Sequence, residues 1–134
     1  MATARFQIFS VANQVPETSS GRIAKHDEQV THMVAWRFLS ANNRSLGQSV
    51  VRYHDVESCM AAMRDLQQRL AAAACVTTQE TPGQWTWRIR ANGPDLAVSS
   101  RRYQRRVEAL YACTSFRSLA EQTTISEQLQ IVRF

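Results

Sequence analysis

The sequence contains no run approaching the ~20 consecutive apolar residues that span a bilayer. Its first residues, Met1 to Phe6, lack the basic region and apolar stretch of an export signal. A cytoplasmic chain with no membrane association is expected. Proline and glycine are scarce, at 3 and 4 of 134 residues, which excludes collagen-like and linker-type chains. Cysteine is odd in number, and Cys59, Cys75 and Cys113 share no CxxC-type spacing, so neither a disulfide framework nor a zinc knuckle is indicated. Reduced thiols are expected. No Gly-x-Ser-x-Gly elbow and no glycine-rich phosphate loop occurs. His26, His32 and His54 show no pairing with cysteine or carboxylate that defines a metal site. These absences lead to the expectation of a non-enzymatic chain with no cofactor, no metal and no catalytic residue.

What is present is a globular composition. Hydrophobic residues make up 44% of the chain, and its length suits one domain able to bury a core without metals or disulfides. The net charge is +5 and the isoelectric point about 9.7. Lys25 is the only lysine among 16 basic residues. Arginine recognises phosphate and carboxylate in a planar, bidentate fashion, so the skew suits an acidic partner or nucleic acid. A GC-rich genome produces the same skew through codon usage alone.

The strongest internal signal is a repeat of roughly fifty residues. Trp36-Arg37-Phe38-Leu39-Ser40-Ala41-Asn42-Asn43 aligns with Trp87-Arg88-Ile89-Arg90-Ala91-Asn92-Gly93, with one extra residue in the first copy. Beyond the turn Leu46, Ser49, Arg52 and Tyr53 meet Leu96, Ser99, Arg102 and Tyr103. Each copy reads as β-β-α. Val34, Trp36 and Phe38 alternate with Ala35, Arg37 and Leu39, and Trp85, Trp87 and Ile89 with Thr86, Arg88 and Arg90, the period of a strand with one buried face. Asn42-Asn43 and Asn92-Gly93 tolerate positive φ and suit tight turns into return strands near 46–51 and 95–100.

Helix one is expected over about 55–73, with Asp55 as N-cap and Val56, Met60, Met63 and Leu70 inward, flanked by Cys59 and Leu66. Helix two is expected over about 104–121, with Val107, Leu110, Cys113 and Phe116 inward. Further strand-like segments open the chain at Phe6 to Phe9, join the copies at Cys75 to Thr78 and close it at Leu129 to Val132. The polar stretch at about 14–31 reads as a mobile insertion, since loops of that length inside compact domains are uncommon. The expected organisation is one domain, 1–134, made of repeats at approximately 4–78 and 75–134.

The second copy, with its Trp-Arg-Ile-Arg-Ala-Asn-Gly strand and turn, Leu96-Ala97-Val98-Ser99 and Tyr103 before a helix, resembles the YegP-like family of small bacterial domains. The first copy keeps Trp36, Arg37, Ala41, Asn42, Ser49 and Tyr53 but has Asn43 where the family places glycine. The resemblance implies an α+β fold of tandem β3-α-β repeats sharing one antiparallel sheet, with helices on one face and the last strand of each copy pairing with the other. It implies no activity.

Two groups of arginines are the candidate binding residues. Arg101, Arg102, Arg105 and Arg106 crowd the start of helix two, where cations oppose the helix dipole and could hold a phosphate or an acidic peptide. The plainer reading, which the residues favour, is that they pair with Asp95, Glu108 or other acids and solvate the surface. Arg37, Arg88 and Arg90 would line the helix-free sheet face, while Trp36, Trp85 and Trp87 fall on the core face, which argues against base stacking. The expectation is therefore a protein-interaction module or accessory subunit. It would contact an acidic protein surface, either as a monomer or within a larger assembly. Sequence-independent nucleic-acid binding through the same arginines is the alternative.

Overall fold

A computed structural model of the chain describes residues 3–13, 31–125 and 131–132. The expected mobile insertion at 14–31 falls, apart from Thr31, outside them. Alternation of large apolar residues makes six strands. In the first half β1 (Arg5–Asn13), β2 (Thr31–Leu39) and β3 (Ser45–Gln48) lead to α1 (Val56–Arg69) and a 3-10 turn at Leu70–Ala72. In the second, β4 (Ala74–Thr81), β5 (Gln84–Arg90) and β6 (Asp95–Ser99) lead to α2 (Arg106–Gln122), and β7 (Ile131–Val132) follows.

All seven strands lie in one sheet, in the order β4-β5-β6-β3-β2-β1-β7. The first six pair antiparallel, and the return strands of the two halves meet at the centre, Gly47 facing Ser99 and Gln48 facing Val98. The two-residue β7 departs from the expected all-antiparallel sheet by running parallel to β1.

The hairpins close as the asparagines predict: Asn43 has φ 67°, Asn92 φ 47° and Gly93 φ 138°. Matching contacts recur in both halves. Trp36 N–H donates to Ser49 Oγ and Trp87 N–H to Ser99 Oγ, at 3.3 and 3.2 Å. Tyr53 bridges back to Val34, and Tyr103 to Trp85.

Both helices cover the sheet face that carries Phe6, Ile8, Trp36, Phe38, Trp87 and Ile89. In α1 the Asp55 carboxylate accepts from Ser58 N–H at 2.7 Å, as an N-cap should. The buried stripe is centred on Cys59, Met63, Leu66 and Leu70, with Val56 and Met60 at its margin. In α2 the buried residues are Ala109, Cys113, Phe116 and Ala120. Val107, expected inward, is 63% exposed. It lies two residues, about 200° of helical turn, from Ala109 and so faces away from the sheet. Trp36 and Trp87 are buried as expected, whereas Trp85 is only half-buried at the margin.

Candidate functional site

The candidate arginines do not form one cluster. After β6 the chain bends at Ser100 and Arg101 and then bridges back to β5, where Tyr103 exchanges backbone hydrogen bonds with Trp85 at 2.6 and 2.8 Å. The helix therefore starts later than the sequence suggests. Arg105 is its N-cap and Arg106 its first residue, and Glu108 Oε1 accepts from Arg105 N–H at 3.1 Å. Arg101 and Arg102, expected at the helix start, instead join Arg88 in a groove of about 660 Å³ on the helix-free side, with Thr86, Ser99, Ser100 and Glu80.

Arg102 is the hinge of this surface. It lines the sheet-face groove and also a shallow depression formed by Tyr103, Val107, Glu108 and Tyr111 on α2. Its Nε lies 3.7 Å from Glu80 Oε1, an exposed pair of small energetic weight. Among the described residues no carboxylate pairs with Arg101, Arg105 or Arg106, all of which are exposed. In the depression beside Arg102, Tyr111 is 74% exposed. Two large apolar side chains, Val107 and Tyr111, thus stand in water in one depression with Arg102 and Glu108.

Arg88 and Arg90 converge on Asp95 at 2.8 and 2.7 Å. The Asp95 side chain is only 13% exposed, and a bulge between Ile89 and Arg90 brings both guanidinium groups to it. The hydrogen bond from Arg90, reinforced by Arg88, holds this carboxyl below the usual carboxylate range. Its stabilising share is thus fully present above the unfolded-state pKa of about 3.9 and disappears as pH falls through the lower folded value. Asp95→Asn is expected to lower the melting temperature at neutral pH and to flatten the loss of stability between about pH 5 and pH 1. Melting curves at matched pH check this. Wild-type and variant profiles of identical acid slope would remove Asp95 from that role.

Arg37 is committed elsewhere: its Nε donates to Gln7 Oε1 at 2.6 Å, and its guanidinium lies 4.8 Å above the Phe9 ring. With two strands between β2 and β5, it sits roughly 14 Å from Arg88. It does not share the groove. Thr86 Oγ1, in the groove wall, has no hydrogen-bond partner among the described residues. The buried Trp87 Nε1 lies near the Tyr103 hydroxyl but short of hydrogen-bond geometry.

One juxtaposition had no signal in the spacing. Cys75 on β4 packs against the core that holds Cys113 of α2, 38 residues away, and the Arg117 hydrogen bond to Ala73 O, one helical turn beyond Cys113 and two residues before Cys75, lays α2 along this strand. Alternation places Cys75 on the helix side, opposite Ile89, but the sequence does not say which α2 residue covers it.

Among the described residues no helix is long and apolar enough to cross a membrane, and no cluster of His, Cys, Asp and Glu could hold a metal ion. No family model and no curated protein matches the sequence. Two solved structures do match in fold. One is the solution structure of the UPF0339 protein SO3888 from Shewanella oneidensis, with TM-score 0.59 and 11% identity over 98% of this chain and 91% of that one. The other is the solution structure of yegP from E. coli, a protein of unknown function, with TM-score 0.55 and 12% identity over 99% and 94%. The fold is YegP-like. At such identities the likeness carries the YegP-like architecture and nothing about chemistry, so the surface around Arg102 must be judged on its own residues.

Proposed function

We propose that this chain is a non-enzymatic protein-interaction module whose docking surface runs from the Arg88-Arg101-Arg102 groove over Arg102 to the first turns of α2. Val107 and Tyr111, exposed in the depression that Arg102 lines at the start of α2, are the observation that carries this reading. Tyrosine and arginine are enriched at interface centres because both offer large contact area together with directed hydrogen bonds. The excess positive charge selects a partner surface rich in aspartate and glutamate. Nucleic-acid binding is the second reading. It would have to rest on phosphate contacts, since Trp36 and Trp87 are buried and cannot stack on bases.

The same proposal treats the chain as a tandem duplication, each half supplying three strands and a helix. It is supported by the matched Trp-to-Ser hydrogen bonds and tyrosine bridges. Pairing β3 with β6 hides the strand edge that one half alone would leave open.

Backbone amide shifts should be followed during titration with a Glu-rich peptide containing leucine and, separately, with a single-stranded oligonucleotide. The expected result is peptide-induced shifts confined to residues 99–112, abolished when Arg101, Arg102, Arg105 and Arg106 are all replaced by alanine. They should weaken roughly tenfold in Tyr111→Ser, as loss of an interface anchor does. Oligonucleotide binding that falls steeply with salt and ignores Tyr111→Ser would favour the phosphate reading. No shift with either ligand at low salt would overturn the assignment of this surface.

A further inference from the structure

The Cys75-Cys113 pair is a site of a different kind. Cys113 is fully buried, whereas Cys75 lies on the edge strand β4 and is half-buried. Arg117 is fixed beside it, its Nη1 donating to Ala73 O at 2.8 Å. Interaction with the Cys113 thiol, helped by the Arg117 charge and by Thr114, pulls the Cys75 thiol below its ordinary range, against its partial burial. The same interaction and burial push Cys113 up. Cys59, which has burial alone, is pushed up to about 12.

Thiols are not required for packing at this place. By strand register Phe6, opposite Phe38, stands in the first half where Cys75, opposite Ile89, stands in the second. Met63 occupies the helix position corresponding to Cys113. One half fills the space with Phe and Met, the other with two sulfurs and a cation.

We propose that Cys75 is a reactive thiol that attacks hydrogen peroxide and related soft electrophiles, and that Cys113 resolves the product into an internal disulfide. In the first step the Cys75 thiolate attacks one peroxide oxygen, an S–O bond forms, the O–O bond breaks, and hydroxide leaves. The proton released when Cys75 ionised converts that hydroxide to water. In the second step the Cys113 sulfur attacks the Cys75 sulfur, the S–O bond breaks, and the hydroxyl leaves as water with the Cys113 proton. Two thiols are oxidised by two electrons, and one peroxide is reduced to two waters.

Peptide mapping of the full-length protein after stoichiometric hydrogen peroxide, without added thiol, tests this directly. The expected product is a Cys75-Cys113 cross-link in monomeric protein, reversed by dithiothreitol. Before oxidation, iodoacetamide at pH 7 is expected to alkylate Cys75 about tenfold faster than Cys59 or Cys113. In Cys113→Ala the sulfenic acid at Cys75 should persist and be trapped by dimedone. The wild-type map needs no variant, so a failure of Cys113→Ala to fold would leave the test intact. Alkylation of Cys75 no faster than Cys59 would overturn the proposal. So would oxidation that stops at Cys75 sulfinic acid or joins Cys75 of two molecules.

Discussion

Replacing Phe116 with alanine is expected to remove about 3 to 5 kcal/mol of stability, the range for deleting a fully buried aromatic ring. The ring is completely buried and touches three others. It stacks on Trp36 with centroids 6.4 Å apart, meets Phe38 edge-on at 5.4 Å and tilts against Trp87 at 5.0 Å. Trp36 and Phe38 belong to β2, Trp87 to β5, so one helix residue ties the first half of the sheet to the second. Domains of this size are stable by only about 5 to 15 kcal/mol. The melting temperature should therefore fall by on the order of 10 to 20 °C. Phe116→Leu keeps most of the apolar contact and should cost far less. Tyr111→Ala, on the same helix but exposed, should lie within about 0.5 kcal/mol of wild type. Urea unfolding of the three variants checks the order. A Phe116→Ala cost below about 1.5 kcal/mol would mean that the cluster repacks around the gap and does not depend on this ring.

The sequence made the β-strands legible because their signal is local. Trp85, Trp87 and Ile89 at every second position, with Thr86 and Arg88 between, state which face is buried, and Asn92-Gly93 states where the chain turns. Asp55 marked its helix end because a cap is a contact three residues long. What stayed hidden depends on placement between distant elements. Nothing local distinguishes Arg102 in an extended segment from Arg102 in a first helical turn. The backbone bridge from Tyr103 to Trp85 decides it, and the match of Tyr103 to Tyr53 in the sequence was the one available pointer. Val107 looked apolar and inward until the helix start was known, and then its angle from Ala109 put it in solvent. The proximity of Cys75 to Cys113 needs the lateral position of α2 over β4, which no periodicity encodes. The arginine excess was visible as a charge, but its division among the Asp95 pairs, the Arg37-Gln7 contact and Arg102 near Tyr111 belongs to side-chain geometry alone.

The same dependence on distant placement governs Gly47, where a single methyl group is expected to be destabilising. Gly47 sits in β3 at the centre of the sheet, facing Phe38 and Ser99, and its backbone is not in the left-handed region that only glycine favours. The constraint is space. A Cβ there would lie 2.8 Å from Trp87 Cη2 and 2.9 Å from Phe116 Cε1, closer than carbon atoms approach. Both rings are completely buried and cannot swing into solvent. Restricting the unfolded chain would by itself favour alanine by about 0.4 to 1 kcal/mol. Overpacking costs about 1 to 3 kcal/mol, sometimes more, and wins. The residue fifty positions later, Ala97, is also fully buried but carries its methyl group, so the centre of the sheet is not symmetric in volume. Gly47→Ala should therefore destabilise by about 1 to 3 kcal/mol and Gly47→Val by more. Because Phe116 supplies part of the clash, Gly47→Ala should cost less in a Phe116→Ala background, with a coupling of about 0.5 to 3 kcal/mol. Urea unfolding of the four members of the cycle measures it. Strict additivity would show that the Gly47 methyl is resisted by Trp87 alone or by the backbone, and a stabilising Gly47→Ala would show that the two rings move apart at little cost.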